Sequence, residues 1–467
     1  MSNVDQPNLL FVLSDQHRGM DLGCAGNGDV ATPHFDRLAS EGVRSEHAVA
    51  TTPVCTPSRA SLVTGQYPLT HGVIANDLPL PTDGPSFAAA FRDAGYRTGY
   101  IGKWHLDGVP RDKFTPPGPR RQGFDDFWAV WNCAHGYFDA KYYRDTDEPI
   151  TIDGYEPITQ TDLAIEFMAA DDDRPFCLVL SWGPPHAPYE QVPAGYRGRY
   201  DAGDLPLRPN AEPIPPETSR IANGLDPRET LAQYYAHITA LDDQFGRLLT
   251  ALAGANILDE TIVAYMSDHG DMLWSQGRCK KEQPWEEAIS VPLLVRYPDA
   301  IPAGTVLEDP IGMVDIAPTV LDLAGVAAPA GMEGDSYAPR IRGEVDAPVR
   351  DSTFIAQIVR NSQARAQHLP PWRGVRTRRY TYARLQDGTG WLLYDNETDP
   401  YQLRNRIYDA AYTTVCSRLD RLLDEWLTET DDPFVDEEAH VRQVGMVEEW
   451  NERLAHAPWF DGEPIAD

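Results

Sequence analysis

The segment from Cys55 to Arg59 reads C-T-P-S-R and places an arginine four positions after a cysteine. Because proline fits the first turn of a helix, Pro57 predicts a helix that begins near Cys55. The cysteine would lie at the positive end of that helix, where anions are stabilised, and Arg59 could reach the same anion. Four interpretations of Cys55 stay open: a thiolate nucleophile, a metal ligand, a substrate for modification, or the buried small residue that a free cysteine commonly is.

Other side chains that could do chemistry follow short apolar segments typical of buried strands. These segments span residues 8–14, 96–102, 176–182 and 261–267, with a fifth at 292–297. The groups that come after the first four are Asp15 and Gln16, Lys103 and His105, His186, and Asp268 and His269. In an open parallel sheet, the carboxyl ends of the strands face one crevice. We therefore predict a functional site at this edge of the sheet.

Four of these residues form a candidate site for one divalent cation: Asp15, Gln16, Asp268 and His269. Oxygen donors dominate the set, which favours Ca²⁺, Mg²⁺ or Mn²⁺ over zinc. The alternative is that the acidic residues after the strand at 261–267 cap a helix. That alternative could hold for Asp271, which we do not assign to the site.

The order of the predicted elements indicates an α/β fold with a large, mostly parallel sheet flanked by helices. Helices are predicted at 33–40, 86–94, 161–170 and 227–253. The last of these carries apolar residues at helical spacing from Leu231 to Leu252, so one of its faces should pack on the sheet.

The pattern changes after about residue 345. The predicted elements there are strands at 375–382 and 391–394, joined through a turn, a helix at 410–429 and a tail helix near 435–455. We therefore predict a catalytic domain at 1–345. Residues 346–467 would form a smaller α/β subdomain with a short antiparallel sheet and an acidic tail.

Composition excludes some classes of partner. The chain has 467 residues and a net charge of -31 at pH 7, which disfavours nucleic acids and anionic membranes. No apolar run approaches the ~20 residues of a membrane span, and the N-terminus carries no pattern typical of an export signal. The six cysteines are scattered without a C-x-x-C pair, as expected for reduced thiols. We expect a cytoplasmic protein.

Together these motifs resemble those of the type I sulfatases in the alkaline phosphatase superfamily. The matching segments are C-T-P-S-R with the following Leu62–Pro68, Gly102–His105, Gly123–Asp125, Pro185–Pro188, Ser267–Gly270, Lys281 with Trp285–Glu287, Val291–Leu293, Arg373–Thr377 and Leu393–Asp395. The resemblance implies an alkaline-phosphatase-like fold and oxidation of Cys55 to Cα-formylglycine, whose hydrate is the nucleophile. It also implies maturation by a formylglycine-generating enzyme or a radical maturase.

The resemblance also assigns roles by position. The metal, usually Ca²⁺ with Mn²⁺ or Mg²⁺ as alternatives, would be held by Asp15, Gln16, residue 55, Asp268 and His269. The catalytic residues would be Cys55, Arg59, Lys103, His105, His186 and Lys281. Arg59 would steady the hydrate, and Lys103 and Lys281 would bind the sulfate oxygens. His105 would hydrogen-bond the hydrate and later help to release sulfate, and His186 would protonate the leaving alcohol. Three of the five lysines in the chain, Lys103, Lys280 and Lys281, lie in these motifs, which weighs against an incidental surface location.

The expected activity is hydrolysis of a sulfate monoester on an aryl or carbohydrate substrate. Many sulfatases have Asp-Asp where this chain has Asp15 and Gln16, so a phosphonate monoester or phosphodiester hydrolase of the same superfamily is the alternative. A non-catalytic relative that binds a metal or an anion and keeps Cys55 unmodified is a third possibility. Segments 131–137, 184–226 and 368–373 are predicted to frame the substrate pocket.

Overall fold

The computed structural model describes residues 6–215, 224–344, 346–456 and 464–466. The strands are β1 Asn8–Asp15, β2 Val43–Ser45, β3 Ala48–Val49, β4 Arg97–Lys103, β5 Phe127–Trp131, β6 Lys141–Tyr142, β7 Ile150–Thr151, β8 Phe176–Pro185, β9 Thr261–Ser267, β10 Leu293–Arg296, β11 Thr305–Leu307, β12 Ile311–Gly312, β13 Ser352–Gln357, β14 Trp372–Thr377, β15 Tyr380–Leu385 and β16 Gly390–Asp395. The α-helices are α1 Pro33–Glu41, α2 Cys55–Thr64, α3 Pro68–His71, α4 Phe87–Asp93, α5 Glu156–Met168, α6 Ala194–Arg197, α7 Pro227–Gly254, α8 Glu286–Ile289, α9 Ile316–Leu323, α10 Ala338–Ile341, α11 Ser362–Ala366, α12 Thr413–Glu429, α13 Glu437–Gln443 and α14 Val447–His456.

An eight-stranded sheet in the order β11-β2-β10-β9-β1-β8-β4-β5 forms the centre of the molecule. Strands β9, β1, β8, β4 and β5 run parallel, as predicted. Strand β10 runs antiparallel to both β9 and β2. The amino end of β10 therefore lies at the same edge as the carboxyl end of β9.

Apolar side chains cover both faces of this sheet. Along β1, Leu9, Phe11 and Leu13 belong to the core that includes residues of α2, α4 and α9, whereas Leu10 and Val12 belong to the core formed with α5 and α7. A strand buried on both faces is apolar at almost every position, which explains the uninterrupted apolar segment at 9–13. The predicted α/β fold with helices on both sides is confirmed.

Helix α5 begins five residues before its predicted start at 161. Pro157 occupies one of the first two helical positions, where a missing N–H has no consequence, so the proline belongs to the helix. The prediction for α7 is confirmed, and the Asp226 side chain accepts hydrogen bonds from the N–H groups of Arg228 and Glu229 at its N-terminus.

The C-terminal part holds the antiparallel sheet β13-β14-β15-β16. The prediction of one strand at 375–382 is wrong, since Val375 on β14 and Tyr382 on β15 are partners across a hairpin. The predicted tail helix is two helices, α13 and α14, separated at Gly445 in the left-handed conformation. The predicted domain boundary falls at residue 345, outside the described residues, and stays a prediction. Within the described ranges, we find no helix with the length and apolarity that crossing a membrane would require.

Gly102 allows β4 to approach β8 closely beside the site. It has a φ of +100°, and a Cβ there would lie 2.0 Å from the carbonyl oxygen of Ser181. We expect Gly102→Ala to lower the free energy of unfolding by about 3 kcal/mol through this overlap. The matched control is Gly95→Ala, because Gly95 has a φ of +92° and nothing within 4 Å; we expect it to lose only about 1–2 kcal/mol of backbone strain. Equal losses in urea unfolding would contradict the steric explanation.

Candidate active site

The ends of four neighbouring strands bring the predicted residues together. Asp15 is the last residue of β1 and Lys103 the last of β4, while His186 directly follows β8 and Asp268 directly follows β9. The register pairs Asp15 with Pro185 and Ser14 with Ser267. The predicted residues therefore lie together at the carboxyl edge of the sheet.

Helix α2 presents Cys55 to this edge from its first turn. All ten of its residues are buried, and it ends at Gly65 in the left-handed conformation with a φ of 63°. In the first turn, the N–H of Thr56 donates to Asn76 Oδ1 at 2.9 Å, which satisfies one of the amides that a helix start leaves free. The positive end of the helix is thus directed at the cluster.

Cys55 lies among both signs of charge. Its Sγ is 3.1 Å from Lys281 Nζ, 3.3 Å from His269 Nε2 and 4.0 Å from each carboxylate oxygen of Asp15. Burial and the Asp15 charge oppose ionisation, but the charges of Lys103, Lys281 and His269 hold the pKa of the thiol well below its ordinary value. A group at this position that develops negative charge is stabilised.

The donor atoms of Asp15, Cys55, Asp268 and His269 all lie within 4.8 Å of one another. His269 Nδ1 donates to the carbonyl oxygen of Gly270 at 2.9 Å, so in the neutral form of the ring, the form that binds a metal, the Nε2 lone pair faces the cluster. A backbone partner of this kind typically orients a metal-binding histidine. The donor chemistry fits a single cation.

Gln16 adjoins the same cluster through Lys281. Its Oε1 accepts from Lys281 Nζ at 3.1 Å, while its Nε2 donates to Asp271 Oδ2 at 2.5 Å. Asp271 does not cap a helix, because its Oδ1 accepts from the N–H groups of Leu273 and Lys280 in a loop. Asp271 therefore orients Gln16 so that the amide oxygen faces Lys281.

Arg59 and Lys103 balance the two buried carboxylates. Arg59 Nε lies 2.9 Å from Asp268 Oδ2, its Nη2 lies 3.4 Å from Asp15 Oδ2, and Lys103 Nζ lies 2.5 Å from the same Asp15 oxygen. Burial opposes the charge of Asp15, yet Lys103, His186, Lys281 and Arg59 keep its pKa well below the ordinary value. Asp15 is therefore ionised at neutral pH.

His105 is held by a carboxylate that sequence reasoning missed. Its Nε2 lies 2.9 Å from Asp77 Oδ1, and Arg111 donates to both oxygens of Asp77 at 2.7 and 2.8 Å. Burial would lower the pKa of His105, but the Cys133 thiolate and the Asp77 carboxylate raise it to about 10. His105 Nδ1 is buried and has no hydrogen-bond partner in the described part of the chain, so a donor is free for a bound group.

His186 faces the cluster with one nitrogen already engaged. Its Nδ1 donates to the carbonyl oxygen of Ala187 at 2.7 Å, so Nε2 is the atom that gains or loses a proton. The ring stacks on His135, with centroids 3.9 Å apart and planes inclined by 11°. Burial and the charges of His135 and Lys281 hold the pKa of His186 well below its ordinary value. A protonated His186 is therefore a strong acid.

The structure thus brings together all ten predicted site residues. Of the segments predicted to frame the pocket, 131–137 contributes His135, and residues 216–223 of the 184–226 segment lie outside the described residues. Asp77 and Asp271 were missed because each acts through another side chain, and neither lies in a motif of its own. The only sequence signal for Asp271 is its position two residues after His269.

Comparison with known proteins agrees with this geometry. Residues 7–326 match the family model "Sulfatase", and residues 276–429 match "N-sulphoglucosamine sulphohydrolase, C-terminal". An ulvan-active sulfatase of Formosa agariphila is 37% identical over 95% of this chain and 85% of its own length. An N-acetylglucosamine-6-O-sulfatase of Bacteroides thetaiotaomicron is 28% identical over 93% of this chain and 89% of its own.

One solved structure is that of a protein in complex with its substrate, D-glucosamine-2-N,6-O-disulfate. It superposes on this chain with a TM-score of 0.80 at 26% sequence identity, over 92% of this chain and 99% of that one. The chain belongs to the sulfatase family. It is an enzyme that hydrolyses sulfate esters, with the alkaline-phosphatase-like fold of its structural neighbours. Membership of this family implies a divalent metal and a formylglycine.

Proposed function

We propose that the protein hydrolyses a sulfate monoester of a carbohydrate, with the hydrate of a Cα-formylglycine formed from Cys55 as nucleophile and one divalent cation, Ca²⁺ as our first choice. The observation that carries the proposal is the position of Cys55 Sγ, 3.1 Å from Lys281 Nζ and 3.3 Å from His269 Nε2. A thiol acting only as core filler needs neither an ammonium nor an imidazole beside it.

The cation would be held by Asp15, Gln16, residue 55, Asp268 and His269. Four of these five residues offer oxygen once residue 55 is oxidised, which favours Ca²⁺ and leaves Mn²⁺ and Mg²⁺ as alternatives. When bound, the cation would withdraw negative charge from the sulfate oxygens. Arg59 would keep Asp15 and Asp268 in place, since it contacts both carboxylates.

The remaining groups act on the ester itself. Lys103 and Lys281 would stabilise the charge that gathers on the sulfate oxygens, and His105 Nδ1 would bond the hydrate because that nitrogen is otherwise unengaged. His186 would donate the Nε2 proton to the departing oxygen. The hydrate would supply two hydroxyls: one would attack sulfur as the bond to the alcohol breaks, and the other would lose its proton as the C–O bond to sulfate breaks and the aldehyde forms again. Addition of water would then restore the hydrate.

The carbohydrate preference rests on two relatives, an ulvan-active sulfatase and an N-acetylglucosamine-6-O-sulfatase. An aryl sulfate is the simpler substrate for assays. Gln16 keeps a second candidate open, a phosphonate monoester or phosphodiester, because many sulfatases carry a second carboxylate where this chain has a neutral amide. All three kinds of ester carry one negative charge at neutral pH, so a substrate panel is needed to choose between them.

We propose that a formylglycine-generating enzyme or a radical maturase oxidises Cys55 before folding, because the side chain is 1% exposed in the folded chain. We also propose a cytoplasmic location, supported by six free cysteines in the described residues.

Mass spectrometry tests the modification. In protein isolated from the native host, we expect the peptide that contains residue 55 to be lighter by about 18 Da than its unmodified form, as oxidation of a thiol to an aldehyde requires. Peptides with Cys177, which is equally buried but remote from the cluster, serve as the internal control and should keep their thiol mass. A thiol alone at residue 55 would refute the formylglycine nucleophile.

A substrate panel tests the ester. We expect turnover of carbohydrate and aryl sulfate monoesters to exceed that of phosphonate monoesters and phosphodiesters by at least about tenfold in kcat/KM, measured with Ca²⁺, Mg²⁺ and Mn²⁺ in turn. Faster hydrolysis of phosphonates with Mn²⁺ would establish the second candidate instead. No turnover of any ester by protein with confirmed formylglycine would refute both.

A further inference from the structure

We propose that Arg453, on the C-terminal helix α14, is a positioning residue for the reaction. Acting through Asn361, it would hold both the first turn of α2, which carries residue 55, and the loop that carries Lys281. The inference rests on the proposed function, because it assumes that residue 55 and Lys281 act on the ester.

Arg453 lies inside the protein although α14 is near the end of the chain. Its side chain is 1% exposed, and its Nη2 donates to Asn361 Oδ1 at 3.0 Å. The neighbouring Trp450 on the same helix is also buried, and the guanidinium carbon lies 4.5 Å from the centroid of its ring. A buried arginine is rarely retained without partners that use its charge or its planar donors.

The first branch from Asn361 leads to residue 55. The N–H of Asn76 donates to Asn361 Oδ1 at 3.0 Å, and Asn76 Oδ1 accepts from the N–H of Thr56 at 2.9 Å. Thr56 directly follows Cys55 in the first turn of α2. The position of residue 55 along the helix axis thus depends on the Asn361 side chain, which Arg453 helps to orient.

The second branch leads to Lys281. The N–H of Asn361 donates to Glu282 Oε2 at 2.9 Å, and the N–H of Glu282 donates to the carbonyl oxygen of Pro53 at 3.0 Å. Glu282 follows Lys281, and Pro53 precedes Cys55 by two residues. Both reacting segments are therefore tied to one asparagine.

The charge of Arg453 suits this position. Burial lowers its pKa to about 10, while the carboxylates of Asp77 and Glu282 favour the charged form and Arg365 and Arg111 oppose it. Asp77 is the residue that holds His105. A cation at this point stabilises two buried carboxylates that each adjoin a reacting group.

Helix α14 lies beyond both regions that match family models, which end at residues 326 and 429. The helix is also held at Asn451, whose side chain accepts from the N–H of Ile465 and donates to the carbonyl oxygen of the same residue, each at 2.8 Å. Asn451 therefore offers a matched control on the same helix that does not reach the network.

The test compares Arg453→Met and Asn451→Ala with the wild-type protein, using 4-nitrophenyl sulfate as substrate. All three samples should have the same formylglycine content, as measured by mass spectrometry. We expect Arg453→Met to lower kcat at least about tenfold with KM changed less than about threefold, the pattern of a lost transition-state alignment. Hydrogen exchange should accelerate at residues 53–58 and 280–284 in the same variant. Asn451→Ala should change neither quantity, whatever its effect on the melting temperature.

Two more variants keep the inference falsifiable if Arg453→Met does not fold. Arg453→Lys should retain most of kcat, and Asn361→Ala should lower kcat as much as Arg453→Met does. The double variant Asn361→Ala/Arg453→Met should have a kcat close to that of either single variant, because both residues act in one network. Wild-type kcat in Asn361→Ala, additive losses, or a lower melting temperature with unchanged kcat and exchange would overturn the inference. If the wild type hydrolyses no ester, hydrogen exchange at residues 53–58 and 280–284 still tests the network. A failure of the proposed function can therefore be told apart from a failure of this inference.

Discussion

Replacing His186 with asparagine is expected to lower kcat about 10³-fold for a carbohydrate sulfate but less than about tenfold for 4-nitrophenyl sulfate, within the range of general acid catalysis. The sugar alkoxide is a poor leaving group and needs a proton as the bond to sulfur breaks. Nitrophenolate leaves without one. Because His186 Nδ1 is bonded to the Ala187 carbonyl oxygen, the Nε2 proton is the one that can be donated. Steady-state kinetics on the two substrates measure the difference.

The pH profile supplies the second readout. A general acid must be protonated, so kcat for the carbohydrate sulfate should fall as the pH rises through the pKa of His186, which burial and the neighbouring cations hold below its ordinary value. The fall should therefore begin on the acidic side of neutrality and be absent in His186→Asn. His440→Asn, at a buried histidine that contacts Arg373 in the C-terminal part, is the control and should keep the wild-type profile. Equal losses on both substrates would exclude proton donation by His186.

Asp268→Asn is expected to weaken binding of the cation by more than about 100-fold and to lower kcat by at least about 10³-fold through the loss of a Lewis acid. It should also lower the free energy of unfolding by about 3 kcal/mol, since a buried pair loses one partner. Arg59 Nε lies 2.9 Å from the carboxylate that the variant neutralises. Elemental analysis of the purified protein checks the cation, steady-state kinetics check kcat, and thermal unfolding with and without added Ca²⁺ checks the stability.

Asp315→Asn is the matched control for this variant. Asp315 is buried, and its carboxylate accepts from the N–H groups of Gly312 and Asp335. The substitution should alter stability but leave metal content and kcat unchanged. Full metal content in Asp268→Asn would show that the cation does not depend on this carboxylate.

The strand ends could be predicted from sequence because each reacting group follows an apolar segment directly. Asp15, Lys103, His186 and Asp268 needed only the rule that parallel strands end at one edge. The connecting residues could not be predicted in this way. Asn361 lies 285 positions from Asn76 and 92 from Arg453 along the chain, and no local pattern specifies such pairings.

Local errors have local causes. The alternation from Val375 to Tyr382 continues across a hairpin, so periodicity alone joined two strands that pair with each other. At the hairpin, Thr377 Oγ1 accepts from the N–H groups of Arg379 and Tyr380, so a turn interaction separates the two strands although the apolar pattern continues. Gly445 adopts a left-handed conformation and separates α13 from α14. The apolar residues on both sides keep a helical spacing, so the pattern predicted one helix.

The reversed direction of β10 has a consequence for how this enzyme could be adapted. The connection from β9 to β10 leaves and re-enters the sheet at one edge, so the loop with Lys281 begins and ends beside the substrate. Every residue of this loop, from 268 to 292, is buried or half-buried, so a change in its length would displace the backbone around Lys281. Substitutions at its half-buried positions Gln276 and Arg278, with Lys281 and Glu282 kept, are thus a practical route to altered ester selectivity.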